Sequence, residues 1–411
     1  MAPPESGASG TPSTGEADVR QLVERYVQRL KGEGAIRSPA VERAFLSVER
    51  HRLLQTFYRP PGPRGSPPVH HDPAHPLAEH LELIYSNTAL GTRFVDGMPA
   101  SSTSQPSLVA EMLELLELAP GTKVLEIGAG TGYNAALMAE IVGDQRMVVT
   151  VDILGDVVEQ TRWLLARAGY PGIAVLLRDG IDGAPERASF DRIVATVGCS
   201  DLSPKWVEQL ADDGRMLVPL DHAGGHPLFL LHKEHGGLQG RVASWAGFMP
   251  VRGPLHLDGL WPVGVLTEES GEPINERDPW PGFATAGPPP GRGCSADESD
   301  FGFFLSLADR RACWAPGGVG LSEGRNGWAV AGPDSIRWWG DASLVEDLDR
   351  LHSAWLSCGR PAVGDYRVAF APIEEDSAPP PQGWAVDRRF FRELVWLPSR
   401  GARPAASTPM P

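Results

Sequence analysis

The chain is poor in cysteine, in basic charge and in long apolar runs, and each shortage removes a class of protein. Its four cysteines, Cys199, Cys294, Cys313 and Cys358, are widely spaced and form no metal-type pair, which is typical of reduced thiols in the cytoplasm. Lysine and arginine total 37 against 52 acidic residues, so the formal charge is -15 and nucleic acid is a poor candidate partner. Since no apolar run is long enough to cross a bilayer, we expect a cytoplasmic protein without membrane contact.

The chain does have the length and composition of a globular protein with two folded parts. Of its 411 residues, 42% are hydrophobic and 22% are charged. Residues 1–17 are rich in Pro, Gly, Ser and Thr, and we expect disordered tails there and from 398 to 411. Residues 254–300 contain many Pro, Gly and acidic residues, which predicts a linker or long loop. These changes in composition separate a first domain, 18–253, from a second, 301–397.

Strand-like and helix-like segments alternate in the first domain. Apolar runs that predict strands cover 124–127, 147–153, 174–177, 190–196 and 215–219. Strands separated by helices predict an α/β fold with right-handed crossovers, a doubly wound, Rossmann-like parallel sheet whose ligand lies beyond the carboxyl ends of the strands. The second domain is predicted to be an α+β extension, with strands at 301–307, 328–331, 336–339, 363–371 and 394–397 and a helix at 342–356.

A glycine-rich turn follows the first predicted strand, in the run Val-Leu-Glu-Ile-Gly-Ala-Gly-Thr-Gly-Tyr from Val124 to Tyr133. Its glycines, Gly128, Gly130 and Gly132, allow the backbone to close against a flat, polar ligand. Taken alone, such a turn fits NAD-type dehydrogenases and methyltransferases equally well.

Three features separate these alternatives. The glycine spacing is Gly-x-Gly-x-Gly, with Glu126 two residues before the first glycine, which is usual in methyltransferases that use S-adenosylmethionine. Asp152 closes the next strand, where it can accept hydrogen bonds from both ribose hydroxyls; a helix cap is the other role open to a lone aspartate. Asp179 follows the third strand and can reach the adenine amino group. The sequence therefore predicts S-adenosylmethionine as cofactor and S-adenosylhomocysteine as product. The predicted cofactor-binding residues are Glu126, Gly128, Ala129, Gly130, Thr131, Gly132, Tyr133, Asn134, Asp152, Ile153, Asp179, Gly180 and Thr196.

Further motifs resemble those of one methyltransferase family, the protein-L-isoaspartate O-methyltransferases, over residues 18–253. They are Val41-Glu42-Arg43-Ala44-Phe45, Val48-Glu49-Arg50-His51-Arg52, Arg178-Asp179-Gly180, Phe190-Asp191-Arg192-Ile193, Gly214-Arg215-Met216-Leu217-Val218-Pro219 and Phe248-Met249-Pro250-Val251. In addition, Ser102-Thr103-Ser104-Gln105-Pro106 looks like the family's Thr-Ile-Ser-Gln-Pro signature. The resemblance implies a class I methyltransferase sheet and a peptide or protein substrate that carries aspartate or isoaspartate.

Two departures from the family bear on the substrate. The segment from Gly97 to Ser104 is rich in hydroxyl groups and lacks the glutamine of the family's Gly-x-x-Gln-Thr-Ile-Ser. Housekeeping members are expected to end near the point that matches Gly253, whereas this chain continues. Similar extended members lie beside biosynthetic clusters for ribosomally made, modified peptides such as lanthipeptides. This resemblance implies methylation of a normal aspartate, leading through a succinimide to isoaspartate. The alternatives are a housekeeping isoaspartate-repair enzyme with an appended domain and a scaffold that binds the cofactor without catalysis.

The expected acceptor is a carboxylate, which needs no general base because its pKa lies near about 4. Alignment and desolvation are then the enzyme's main tasks. Among the hydroxyls of the signature, Ser104 and Thr103 are predicted to hold this acceptor, Ser104 being favoured by the resemblance. A cap on the helix that begins at Pro106 is the alternative role of Ser104.

The histidines and the late tryptophans have simpler explanations. Prolines interrupt the segment from His70 to His80, and carboxyl methylation requires no metal, so no metal site is expected. His222 and His226 follow strands and are expected at the surface. Nine of the twelve tryptophans lie at or beyond Trp261, where core packing is favoured over a peptide groove.

Overall fold

A computed structural model describes residues 16–60, 62–63, 65–234, 237–257, 259–261, 274–284, 295–315, 317–375 and 377–398. Most of each expected tail, residues 1–15 and 399–411, and about half of the expected linker, chiefly 262–273 and 285–294, lie outside these residues. The chain divides into two compact units, a first unit that ends at Arg178 and a second unit that begins at Asp179. In the part of the chain that the structure describes, no helix has the length and apolarity needed to cross a membrane.

The first unit combines helices with short strands. Its helices are α1 (Glu16–Gly32), α2 (Pro39–Ser47), α3 (Ala78–Ile84), α4 (Pro106–Leu116), α5 (Tyr133–Val142) and α6 (Gly155–Arg167). Its strands are β1 (Thr56–Phe57), β2 (Val69–His70), β3 (Leu90–Val95), β4 (Met98–Thr103), β5 (Val124–Ile127), β6 (Val148–Asp152) and β7 (Ala174–Leu177). β1 pairs with β2 and β3 pairs with β4, both antiparallel.

The strands β5, β6 and β7 form a parallel sheet with β6 in the middle. Helices α5 and α6 provide the two crossovers, so the predicted strand–helix alternation is confirmed here. All four residues of β5 are buried, as expected for a strand covered on both faces. Because the strands run in parallel, the ends of β5 and β6, at Ile127 and Asp152, lie at the same edge of the sheet.

The strands β3 and β4 form a hairpin in the segment that the sequence suggested was a hydroxyl-rich loop. Asp96 and Gly97 form its turn with φ angles of 52° and 77°, the left-handed conformation that tight hairpins require. Ser101 and Thr103 are buried, and β4 ends directly before Ser104. The hairpin therefore fixes where the predicted acceptor-binding residues lie.

The second unit is richer in strands. Its helices are α7 (Pro204–Gln209), α8 (Ala296–Ala308) and α9 (Ser343–Ser357). Its strands are β8 (Phe190–Ala195), β9 (Leu210–Pro219), β10 (His226–Glu234), β11 (Gly237–Ala246), β12 (Asn275–Arg277), β13 (Ala312–Ala315), β14 (Gly318–Ser322), β15 (Gly327–Ala331), β16 (Ile336–Gly340), β17 (Arg367–Pro372), β18 (Trp384–Asp387) and β19 (Phe391–Trp396).

Strands from both sides of Gly253 share one sheet in the second unit. Its order is β8-β9-β10-β11-β17-β19-β18, in which only β8 and β9 are parallel. A separate antiparallel sheet has the order β12-β16-β15-β14-β13. Because β17 pairs directly with β11, the predicted division into 18–253 and 301–397 does not coincide with the compact units.

Three expectations about the second unit are wrong. Residues 301–307, expected to be a strand, belong to helix α8, which begins with a capping box of Ser295 and Glu298. The phenylalanines of this helix are all buried, so its apolar content alone did not distinguish a helix from a strand. His222 and His226 are buried, not at the surface.

The core interpretation of the tryptophans holds for Trp261, Trp328 and Trp355, which are all buried; Trp261 and Trp355 belong to a single apolar cluster.

Candidate active site

The glycine turn between β5 and α5 has the backbone shape of a ligand cradle. Gly128, Gly130 and Gly132 have φ angles of 103°, 52° and 81°, which side chains other than glycine rarely adopt. A Cβ on Gly132 would lie 2.9 Å from Leu165 Cγ, so the turn packs directly on α6. This turn at the end of a parallel strand, in which three of the five residues from Gly128 to Gly132 are glycine, fits a nucleoside cofactor.

Asp152, at the end of β6, holds this turn in place. Its Oδ2 accepts hydrogen bonds from the backbone N–H groups of Ala129, at 3.1 Å, and Gly130, at 3.4 Å, while Oδ1 accepts one from Leu154 at 3.0 Å. The carboxylate is only half-buried, and Oδ1, which accepts one of these bonds, has a second lone pair that a ribose hydroxyl could use. The structure thus gives Asp152 a turn-organising role, and ribose binding stays a prediction.

Glu126 and Tyr133, two of the predicted cofactor-binding residues, direct their side chains into the interior. Glu126 is 1% exposed, and its Oε1 accepts a hydrogen bond of 2.7 Å from Asn134 Nδ2. Burial raises the pKa of Glu126 to about 7. The Tyr133 hydroxyl lies 3.4 Å from the Tyr26 hydroxyl, and its ring packs on Phe45. These side chains therefore support the start of α5 from the protein interior. Thr131 is also buried.

The predicted acceptor residues lie against the cofactor turn. A Cβ on Gly130 would be 3.0 Å from the carbonyl oxygen of Ser102, so the end of the hairpin touches the turn. Thr103 is 2% exposed, and its Oγ1 has no hydrogen-bond partner among the described residues. A buried hydroxyl without a partner is costly unless a ligand supplies one. The structure therefore brings the predicted donor and acceptor residues of the first unit together.

The alternative role of Ser104 as a helix cap does not agree with the structure. The N-cap residue of α4 is Gln105, whose side chain makes no capping hydrogen bond. The N–H of Ser107, in the first turn, instead donates to Asn87 Oδ1 at 3.0 Å. Asn87 thus accepts from the first turn of α4 in place of Ser104, and the role of the Ser104 hydroxyl in acceptor binding stays a prediction.

Three predicted cofactor-binding residues belong to the second unit. Asp179 Oδ1 accepts a hydrogen bond of 3.0 Å from the N–H of Ile181, and a Cβ on Gly253 would lie 2.6 Å from its Oδ2. The carbonyl of Gly180 accepts a hydrogen bond of 2.8 Å from Trp206 Nε1. Thr196 directly follows β8. Their cofactor contacts stay predictions.

One candidate was missed from the sequence. Ile153 and Leu177, at the ends of β6 and β7, are exposed by 39% and 58%, although both are large and apolar. Leu177 is the last residue of β7, and the predicted Ile153 directly follows β6. A flat base of the cofactor could cover both exposed side chains. The position of Leu177 at the end of a strand is the feature by which the sequence could have identified it. Among the described residues, no three His, Cys, Asp or Glu side chains are arranged to hold a metal ion.

The chain is similar in sequence to known methyltransferases. The family model described as protein-L-isoaspartate(D-aspartate) O-methyltransferase matches residues 78–254. The chain is 33% identical over 243 residues to a protein-L-isoaspartate O-methyltransferase of Pyrococcus horikoshii, covering 57% of this chain and 96% of the relative.

Two similarities continue into the C-terminal part. A relative of the same name from Thermotoga maritima is 31% identical over 326 residues, covering 78% of this chain and 88% of its own length. A solved structure of a protein-L-isoaspartate O-methyltransferase matches with a TM-score of 0.50 and 27% identity, covering 84% of this chain and 96% of that one. The expectation that housekeeping members end near Gly253 is therefore not general, because the Thermotoga alignment is longer than the whole stretch from 18 to 253.

These matches confirm the α/β methyltransferase fold and the cofactor S-adenosylmethionine. The chain belongs to the protein-L-isoaspartate O-methyltransferase family and is a carboxyl O-methyltransferase.

Proposed function

We propose that the chain methylates the free α-carboxylate of L-isoaspartyl residues in peptides or proteins, where the backbone continues through the side-chain carbonyl. The observation that carries this proposal is the Thermotoga maritima relative, named for isoaspartate, whose similarity extends past residue 253. The acceptor hydroxyls beside the glycine turn agree with it.

The chain's own residues act on the acceptor by placement. S-adenosylmethionine, when bound, supplies a methyl group on a sulfonium that is already a good leaving group. The turn from Gly128 to Gly132 and the Asp152 carboxylate would hold this cofactor. Ser104 and Thr103 would donate hydrogen bonds to the carboxylate of the acceptor residue. Because that carboxylate is an anion at neutral pH, alignment and exclusion of water supply the acceleration, and no base is needed.

A second acceptor is a normal aspartate in a ribosomally made, modified peptide of the lanthipeptide type. It is favoured by the composition of residues 101–104, which we call the acceptor segment. The hairpin strand before Ser104 lacks the family's glutamine and carries Ser101, Ser102 and Thr103. After esterification, the next residue's backbone nitrogen attacks the ester carbon, methanol leaves with that nitrogen's proton, and a succinimide forms. Water then opens the imide to isoaspartate. In this version, residues 301–397 contribute to recognition of the peptide.

One experiment distinguishes the two acceptors. The full chain is incubated with S-adenosylmethionine and three peptides: an isoaspartyl peptide, its aspartyl counterpart, and a lanthionine-bridged peptide with an internal Asp-Gly. Mass spectrometry follows gain of a methyl group and later loss of methanol. Methylation of the isoaspartyl peptide alone supports the first acceptor, and methylation of the bridged peptide alone supports the second. Methylation of none of the three contradicts both.

The matched variants are Ser104→Ala and Ser86→Ala. Both remove a hydroxyl from a half-buried serine, but the Ser86 Oγ donates to the Leu83 carbonyl and lies outside the site. We expect turnover to fall only in Ser104→Ala, with S-adenosylhomocysteine affinity unchanged by calorimetry. Equal turnover in both variants would remove Ser104 from the assignment.

A further inference from the structure

Arg50 places a positive charge behind the acceptor segment. Its side chain is fully buried, and all its described hydrogen bonds go to backbone carbonyls. They are Ile84 O at 2.7 Å, Ser86 O at 3.4 Å, Thr88 O at 3.2 Å and Ser104 O at 2.9 Å. A buried guanidinium needs acceptors to offset its loss of hydration, and these four carbonyls take hydrogen bonds from both terminal nitrogens, so its position is tightly defined. Its Nε has no hydrogen-bond partner among the described residues.

These bonds attach Ser104 to the segment that follows α3. Three of the four carbonyls lie between Ile84 and Thr88, and the fourth is that of Ser104 itself. Asn87, in the same segment, accepts a hydrogen bond from the N–H of Ser107. The chain is thus held on both sides of Pro106, once by a charged donor and once by an amide.

We propose that Arg50 is a positioning residue for the acceptor hydroxyls. It acts through the Ser104 backbone, whose orientation determines where the Ser104 hydroxyl points. A displacement of about 1 Å in such a group can cost about 10²-fold in rate. This inference rests on the proposed role of Ser104 in holding the acceptor carboxylate.

Arg29 offers a matched control. Its Nη2 donates a hydrogen bond of 2.6 Å to the Tyr85 carbonyl, within the same 84–88 segment, and its guanidinium lies 5.9 Å from the Tyr26 ring centroid. It therefore bonds to the same segment as Arg50, but its side chain is exposed and has no described bond to the acceptor segment. Arg29→Lys controls for loss of a guanidinium bond to the 84–88 segment, and the Ser104→Ala background shows which part of the Arg50→Lys effect depends on Ser104.

The test combines both variants with Ser104→Ala in the full chain. Activity is measured on the isoaspartyl and bridged peptides, cofactor-product affinity by calorimetry, and backbone opening by amide hydrogen exchange. For Arg50→Lys we expect turnover to fall about tenfold or more, S-adenosylhomocysteine affinity to stay within about twofold, and exchange to rise over 105–110. In the Ser104→Ala background, Arg50→Lys should cause little further loss, because the hydroxyl it positions is gone.

Several results would overturn the proposal. Independent, multiplying effects of Arg50→Lys and Ser104→Ala would show that Arg50 does not act through Ser104. Amide exchange over 105–110 that is no faster in Arg50→Lys than in Arg29→Lys would also contradict the proposal. This result can be obtained even if no peptide is methylated, so it is distinguishable from failure of the proposed function. If Arg50→Lys does not fold, Asn87→Ala removes the second attachment and should raise exchange and lower turnover in the same direction; no change in either would refute the idea.

Discussion

Replacing Glu393 by glutamine tests whether the C-terminal strands are part of the second unit's core. Glu393, on β19, and His222 are fully buried, and Arg388 is 5% exposed. Arg388 donates to Glu393 Oε2 through Nε at 2.9 Å and Nη2 at 2.7 Å. It also donates to the carbonyls of Ser200 at 2.6 Å and Asp221 at 3.2 Å. A cation from beyond Gly253 is thus shared between a carboxylate and the loops that follow β8 and β9.

The histidine in this cluster is neutral, which makes Glu393 the main counter-charge of Arg388. Ser306 Oγ donates to the Phe303 carbonyl at 2.7 Å, so His222 Nδ1–H must donate to Ser306 Oγ at 3.0 Å. His222 Nε2 then accepts from Arg388 Nη2 at 2.9 Å. Burial lowers the pKa of His222, which agrees with this tautomer.

Glu393→Gln should therefore leave a buried guanidinium without its compensating charge. Breaking a buried ion pair by removing one partner costs about 3–5 kcal/mol. The matched control is Asp387→Asn, since Asp387 pairs with Arg392 at 2.6 Å on the same two strands but is 56% exposed. Its loss should cost about 0–1 kcal/mol. Urea unfolding monitored by circular dichroism measures both changes in the free energy of unfolding.

The pH dependence gives a second check on the same variant. Burial by itself would raise the pKa of Glu393, but the two hydrogen bonds from the charged Arg388 outweigh it and lower the pKa below its ordinary 4.5. A carboxyl with a lowered folded pKa contributes stability above its unfolded pKa and loses it as the pH falls through the folded pKa. The difference between wild type and Glu393→Gln should therefore be largest near neutral pH and shrink below about pH 4.5. A loss no greater than that of Asp387→Asn, or one independent of pH, would refute the reasoning.

Three further predictions concern the rest of the molecule. Asp152→Ala should weaken S-adenosylhomocysteine binding by about 1–3 kcal/mol in calorimetry, because the turn and the ribose lose an acceptor; unchanged affinity would contradict the site. Glu126→Gln should flatten the pH dependence of stability between about pH 4.5 and 7, because the raised pKa of Glu126 makes the wild type lose stability as the pH rises through that window. Urea unfolding across this range measures the effect, and the same slope in both proteins would contradict it. Truncation after Gly253 should give a chain without cooperative thermal unfolding by circular dichroism, because β11 loses β17; a truncated protein with a sharp transition would refute this.

Local patterns predicted the strands and the glycine turn of the first unit well. The strands Val124–Ile127 and Ala174–Leu177 have the predicted bounds, and the glycine turn has the expected left-handed backbone. These features depend on a few adjacent residues, so a single sequence contains them. The β3–β4 hairpin was available by the same logic, because Asp96-Gly97 is a strong hairpin dipeptide, but its hydroxyl-rich composition suggested a loop.

Features that depend on distant partners were not predictable. His222 follows a strand and is polar, which suggested exposure, yet Ser306 and Arg388 from later in the chain hydrogen-bond its two ring nitrogens inside the core. Likewise, nothing near Val251 indicates that β17 will pair with β11. Arg50 looked like one member of a family motif, and only the fold shows that its donors reach Ser104.

The C-terminal part is therefore a poor criterion for choosing between the two acceptors. Strands β17 and β19 complete the sheet of β8–β11, and similarity to an isoaspartate-named relative continues into this region. A part that the fold needs for its own sheet will be present whichever peptide is modified. The residues that can discriminate are those beside Gly130, from Ser101 to Ser104, where the chain departs from the family and where the acceptor would meet the methyl donor. If acceptor choice is encoded there, restoring the family's glutamine by Ser101→Gln should shift the ratio of isoaspartyl to bridged-peptide methylation. Exchanging residues of the C-terminal sheet surface should leave that ratio unchanged.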